Sequence, residues 1–350
     1  MSGRRAREPE VIIGLNAVIV AVTEEVPRLL TVEPTLDAPG VWEDEPAGPP
    51  PALPFGPLDP EGDATLQLGL RRWVREQTGR ELGYVEQLYT FGTRNREPAE
   101  RLGEARVVSV AYLALVREES PSGASGARWL DWYRFLPWED WREGRPALLD
   151  GVIGPALDRW AAGAADVSSR SAREERVDIT FGRRGGLWDG ERVLERYELI
   201  YEAGLAVEAL WDHRLRRLRG EPEDGAPRLA LPRSALPGQP MAFDHRRILA
   251  TALGRLRGKI RYRPVIFELL PETFTLLQLQ RAVEALAGVR LHKGNFRRLV
   301  EHGGLVEGTG RLEVRTGGRP AELFRFRREV LRERQAPGVG LPGLRPVTAS

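Results

Sequence analysis

Residues 274–300, FTLLQLQRAVEALAGVRLHKGNFRRLV, constrain this chain more than any other segment, because their apolar spacing admits two short helices around a glycine turn and little else. Thr275 stands where an N-cap belongs, and Leu276, Leu279, Val283 and Leu286 recur at the three- and four-residue steps of one buried helical face. Gly288 is placed to stop that helix. Phe296, Leu299 and Val300 then give a second helix its own apolar stripe, which leaves Lys293, Asn295, Arg297 and Arg298 to point elsewhere, and Gly303-Gly304 ends it. Residues 305–306, 311–315 and 321–326 read as strands, the last two joined by a turn with two glycines. A helix-turn-helix followed by a hairpin is the outline of a winged helix. The alternative is a small helical domain whose charged face merely meets water.

Charge favours the first reading. Residues 241–330 hold 18 Lys plus Arg against 9 Asp plus Glu, whereas residues 1–240 hold 31 against 40, so a +9 part follows a −9 part in a chain of net charge +2. Both lysines, Lys259 and Lys293, lie in the basic part. Such asymmetry suits a module that meets a polyanion, where counterion release supplies most non-specific affinity.

At 350 residues there is room for two ordinary domains. The absence of cysteine excludes disulfides, thiolate metal sites and cysteine nucleophiles. His213, His245, His292 and His302 are too scattered for a metal-ligand spacing. Arg4, Arg5 and Arg7 before the apolar run 11–22 imitate an export signal, but Glu8 and Glu10 interrupt the charge and Asn16 the run, and twelve residues do not span a bilayer. A buried strand and a cytoplasmic protein without membrane contact are expected.

Further strands are expected at 29–32, 84–91, 106–116 and 177–181, helices at 64–79 and 148–160, and one long or two abutting helices at 193–219. Residues 33–62 are rich in proline and glycine and read as an extended loop, and 120–126 as a loop tip. Trp129, Trp132, Tyr133, Phe135, Trp138 and Trp141 cluster, more often a core than a stack for adenine. The domain plan is a tail at 1–10, a sensor domain at 11–219, a linker at 220–240 with five prolines, a winged helix at 241–330 and a tail at 331–350. Strands not separated by regular helices indicate an α+β fold rather than a doubly wound sheet.

The helix at 64–79 resembles the Nudix helix, whose glutamates gather on one face to hold magnesium against a diphosphate. Anchored on Gly79, the pattern places Arg72 at its arginine, Val74 at its apolar position and Glu76 at one glutamate. Trp73, Gln77 and Ala64 occupy its other glutamate positions and Leu58 its upstream glycine. One carboxylate cannot replace the cluster, so no catalytic residues and no metal site are expected. Segments 83–91, 94–98 and 107–112, together with 245–248, 253–262, 269–271, 274–276, 295–298 and 318–326, are similar to the Nudix-related transcriptional regulators of NAD metabolism, the NrtR family. Residues 196–205 and the tryptophans resemble its NadQ branch, and the likeness covers 11–218 and 241–327.

That resemblance implies an α+β chain with an N-terminal Nudix-like mixed-sheet domain and a C-terminal winged helix-turn-helix. It implies a repressor of NAD biosynthesis or salvage genes, binding double-stranded operator DNA as a homodimer. No cofactor would be required, and the effector would be NAD, ADP-ribose or ATP. Candidate DNA contacts are Thr275, Lys293, Asn295, Arg297 and Arg298, with Arg311, Arg315 and Arg319 in the wing. Arg94, Arg96, Arg101 and Arg106, with Glu76, are candidate ligand contacts, since guanidinium forks suit a diphosphate. Glu97, Glu100 and Glu104 are interleaved with them and could instead make surface pairs. The competing readings are a Nudix-type pyrophosphohydrolase acting on ADP-ribose or NAD with an appended winged helix, and a nucleotide-binding adaptor that ignores DNA.

Overall fold

In a computed structural model the described residues are 11–34, 48–92, 106–121, 126–218, 229–313 and 320–339. The first half is built on a mixed sheet of β1 (Val11–Thr23), β2 (Val26–Thr31), β3 (Phe55–Pro57), β4 (Tyr84–Phe91), β5 (Arg106–Leu115) and β6 (Arg128–Asp131). The strand order is β4-β5-β1-β2-β6, with β3 paired to β1. β1 runs parallel to β5 from Val11 opposite Arg106 to Val20 opposite Leu115, and every other pairing is antiparallel. The unbroken apolar run of β1 is therefore that of a central strand buried on both faces.

Alternation along the strands divides the interior in two. Leu15, Ala17, Ile19, Val110, Tyr112 and Ala114 face α1 (Leu66–Thr78), meeting Leu70 and Val74. Val18, Val20, Leu29, Ala111, Leu113 and Leu115 face the opposite way, into the larger core. That core is filled by Trp132, Tyr133, Phe135 and Trp138 and by α2 (Gly154–Ala162), α3 (Val167–Phe181) and α4 (Val193–Glu202). The tryptophan cluster thus serves mainly as core. α5 (Glu208–Leu218) closes this half.

The second half contains α6 (His245–Tyr262), β7 (Phe274–Thr275), α7 (Leu276–Ala287), α8 (Lys293–His302), β8 (Val306–Glu313), β9 (Ala321–Phe326) and the short α9 (Val330–Glu333). β7, β9 and β8 form an antiparallel three-stranded sheet against the α7–α8 pair. Its residues are not a separate core. Leu253, Leu256, Leu279, Val283 and Leu286 join the same apolar cluster as Val18, Trp132 and Trp138.

Four segments differ from the sequence reading. Within 33–62, expected as an extended loop, β3 pairs with the central strand β1 at Gly14–Asn16. Residues 177–181, expected as a strand, are the last turn of α3, capped by Asp166 and ended by Gly182 in the left-handed region. Val177, Thr180 and Phe181 are its buried residues, a helical spacing hidden in a short apolar run that suits either state. The described part of the expected linker, 229–240, lies against the first half: Gln239 N–H donates to the Arg134 carbonyl at 2.8 Å. In the expected C-terminal tail, Val339 is fully buried, and its N–H donates to the Ile260 carbonyl at 2.9 Å.

Candidate functional site

The Nudix-like helix α1 starts at Thr65, whose hydroxyl accepts from Leu68 N–H at 3.1 Å, and ends at Gly79 with φ 70°. Its would-be metal face is occupied by protein. Arg72 grips Asp63 through two hydrogen bonds of 2.8 and 3.0 Å, and that guanidinium holds the Asp63 carboxyl below its ordinary range. Glu76 only leans on Arg72 at 3.7 Å. Trp73, in a glutamate position, donates its indole N–H to the Pro57 carbonyl at 2.7 Å and lies so close over Gly56 that a side chain there would overlap the ring. Gln77, also in a glutamate position, is buried and pairs with both backbone groups of Phe55. Its oxygen accepts the N–H at 3.0 Å and its amide donates to the carbonyl at 2.7 Å. A carboxylate could make only the first bond. Among the described residues no group of three or more His, Cys, Asp or Glu is placed to hold a metal.

Of the sensor arginines, Arg106 is exposed at the start of β5 and donates to the Gly92 carbonyl at 2.9 Å. Arg94, Arg96 and Arg101 lie outside the described residues, as do Glu97, Glu100 and Glu104.

In the helix-turn-helix, Thr275 caps α7 in a full capping box: its hydroxyl accepts from Gln278 N–H, and the Gln278 side chain accepts from Thr275 N–H. Thr275 is buried, unlike Lys293, Asn295, Arg297, Arg298 and Arg311, because the cap occupies it. Gly288 ends α7 with φ 72°. His292 caps α8, which buries Phe296 and Val300 and leaves Lys293, Asn295, Arg297 and Arg298 exposed, as their spacing requires. The Arg298 guanidinium donates to Asn295 Oδ1 at 3.1 Å, so these two share one side of the helix. In the wing, Arg311 is exposed beside the irregular pairing between Gly308 and Leu312, where Gly310 has φ 69°. Arg315 and Arg319 lie outside the described residues.

Sequence reasoning did not find how the two halves are joined. The Glu139 carboxylate is buried and accepts from Arg196 at 2.6 and 2.9 Å and from Arg257 on α6 at 2.6 Å. Arg257 also donates to the Glu139 carbonyl at 2.8 Å and to the Leu286 carbonyl at the end of α7 at 3.2 Å. Tyr133 O–H donates to the Ala285 carbonyl at 2.9 Å, and Trp141 N–H to the Gly288 carbonyl at 2.7 Å. The carbonyls that a helix end leaves open are thus satisfied partly by the first half. At the β1–β2 turn, Glu24 and Glu25 both have positive φ, and the Glu25 carboxylate meets Arg281 at 3.1 Å and Arg290 at 3.2 Å, both in the helix-turn-helix. No local pattern announces these pairs; a buried arginine within an apolar helix face, as at Arg257, is the one available hint.

Comparison with known proteins bears on both halves. Residues 266–326 match the family described as the NrtR DNA-binding winged helix domain. The C-terminal module is similar to an NrtR winged helix. A curated relative, the ADPR responsive transcriptional repressor NtrR of Acinetobacter baylyi, is 42% identical over 86 residues. That alignment spans 25% of this chain and only 34% of the relative. The fold is similar to that of the crystal structure of Shewanella oneidensis NrtR complexed with a 27mer DNA, at TM-score 0.50 and 19% identity, covering 91% of this chain and 95% of that one. A MutT/nudix family protein from Enterococcus faecalis is similar at TM-score 0.50 and 15% identity, covering 93% and 90%. The α+β arrangement of a Nudix-like mixed sheet before a winged helix is therefore the architecture of this chain. Among the described residues no helix is long and apolar enough to cross a membrane.

Proposed function

We propose that the protein is a DNA-binding transcriptional repressor of NAD biosynthesis or salvage genes whose Nudix-like domain senses ADP-ribose or a related nucleotide. The observation that carries this reading is the exposed basic start of α8 within a domain matched to the NrtR DNA-binding family. Lys293, Asn295, Arg297 and Arg298 are proposed to meet base edges and phosphates, with Arg311, Arg315 and Arg319 on the flanking backbone. The relative that responds to ADPR supports ADP-ribose over NAD or ATP as effector. Arg94, Arg96, Arg101 and Arg106, with Glu76, are the proposed ligand contacts. No cofactor is needed for this role. A homodimer on a palindromic operator is proposed, since two recognition helices give a symmetric readout.

Catalysis is not part of the proposal. Trp73 and Gln77 spend two glutamate positions on packing and backbone hydrogen bonds, which supports a recognition site without metal. The test is a mobility shift on DNA upstream of the protein's own gene and its neighbours, with and without ADP-ribose, NAD and ATP. Retention changed by ADP-ribose and abolished in Arg297→Ala/Arg298→Ala is expected. Retention indifferent to that double variant would sink the reading, and magnesium-dependent hydrolysis of ADP-ribose abolished by Glu76→Gln would replace it with an enzyme.

A further inference from the structure

Beside the recognition helix lies a cavity of about 800 Å³, bounded by α8, the last turn of α6 and the chain after α9. Arg261, Arg298 and Arg334 line it, with Asn295 and His302 between them, and no described residue on its walls is acidic. Three guanidiniums on one cleft repel one another, and an anion seated among them would relieve that repulsion.

Their partners differ from those of neighbouring arginines. Arg327 is spent on both oxygens of Glu333, and Arg325 on Glu307 at 2.6 Å. Arg298 instead donates to Asn295, and Arg334 to the His302 carbonyl at 3.3 Å; neither forms an ion pair among the described residues. Arg261 pairs with Glu191 at 2.9 Å, but the two side chains are 48% and 45% exposed, and such surface pairs exchange readily for a better anion.

Nor is Arg334 on a loose end. Val330 and Val339 anchor the chain on either side of it, and Gly338 lies so close to the Arg261–Tyr262 backbone that a side chain there would overlap it. The anchored segment therefore holds Arg334 against α8, on the side that already carries Asn295 and Arg298.

We infer that this cleft is a phosphate-binding site for the DNA backbone flanking the groove that α8 enters, with Arg261 and Arg334 supplying contacts from outside the helix-turn-helix. The inference rests on the DNA-binding reading above and extends it to residues that neither the helix nor the wing contains. Guanidinium forks bind phosphate oxygens in pairs, and the cleft continues the exposed Asn295–Arg298 side of the helix without a break.

The test is a fluorescence-anisotropy titration of the full chain on a labelled mixed-sequence duplex across a salt series. Removing one arginine–phosphate interaction lowers the steepness of log affinity against log salt by about one. Arg261→Ala/Arg334→Ala is expected to lower it by about two, while Arg261→Lys/Arg334→Lys keeps most of it and both variants melt with the parent protein. An unchanged slope in the alanine pair, alongside a reduced slope in Arg297→Ala/Arg298→Ala, overturns the cleft and leaves the DNA-binding reading intact. No change in either pair overturns that reading itself. Equal reductions in the alanine and lysine pairs together with earlier melting would make the cleft structural and overturn the inference.

Discussion

Gln77 shows what a single amide does where the Nudix pattern has a carboxylate. In a metal-holding helix a carboxylate at this position would face the cation; here an amide faces the Phe55 peptide and answers both its donor and its acceptor. Gln77→Glu restores a glutamate to the pattern yet leaves the Phe55 carbonyl without its donor and buries a charge. The expected result is a loss of about 1–3 kcal/mol in urea unfolding with no gain of hydrolysis, because unpaired buried polar groups are expensive. The substitution itself was legible in the sequence. Its reason was not, because Phe55 lies 22 residues away on a three-residue strand inside a proline-rich stretch.

At the scale of elements, what was legible had local causes. α7 was readable from Thr275 to Gly288 because its cap, apolar stripe and stop all lie within its own residues. β4 was readable as a strand over its full length, 84–91. Residues 177–181 misled because five residues of mixed apolar character fit a strand or the end of a helix, and the choice was made by Asp166, eleven positions earlier. The α7–α8 turn adds a further dependence that spacing does not reveal. Glu284 is buried, and burial alone would raise its pKa, but Leu291 N–H at 2.9 Å, Gln280 at 2.8 Å and Arg290 at 3.1 Å outweigh it, so the net shift is downward. A carboxylate with a depressed folded pKa adds stability that is complete above its unfolded value, near 4.5, and lost as pH falls through the folded one. Urea midpoints measured at neutral pH and below pH 4.5 should therefore separate further in the parent protein than in Glu284→Gln; equal separations would mean that the turn does not depend on this charge.

For the whole molecule, the charge asymmetry was visible along the sequence but the union of the halves was not. Glu139 and Arg257 are 118 residues apart, and only the folded chain brings them within 2.6 Å. Arg257→Met strips one of the two cations from a buried carboxylate, for which a loss of about 3–5 kcal/mol is expected. Both halves should fall together, as one urea transition with coincident tryptophan fluorescence and far-UV circular dichroism; two separate transitions would mean that the halves fold independently. The same bridge would give the proposed nucleotide a physical route from the first half to the second, through Tyr133, Trp141 and Arg257 at the end of α7.

The shared interior also sets an order of events during synthesis. β1, β2 and the tryptophans Trp132 and Trp138 leave the ribosome well before α6 and α7, the helices that will cover them. Until residues near 286 emerge, the sheet face carrying Val18, Val20 and Leu29 has no complete cover, and Glu139 lacks one of its two arginines. For that interval the nascent first half carries uncovered apolar surface of the kind that invites aggregation, and the interval ends only when the second half arrives.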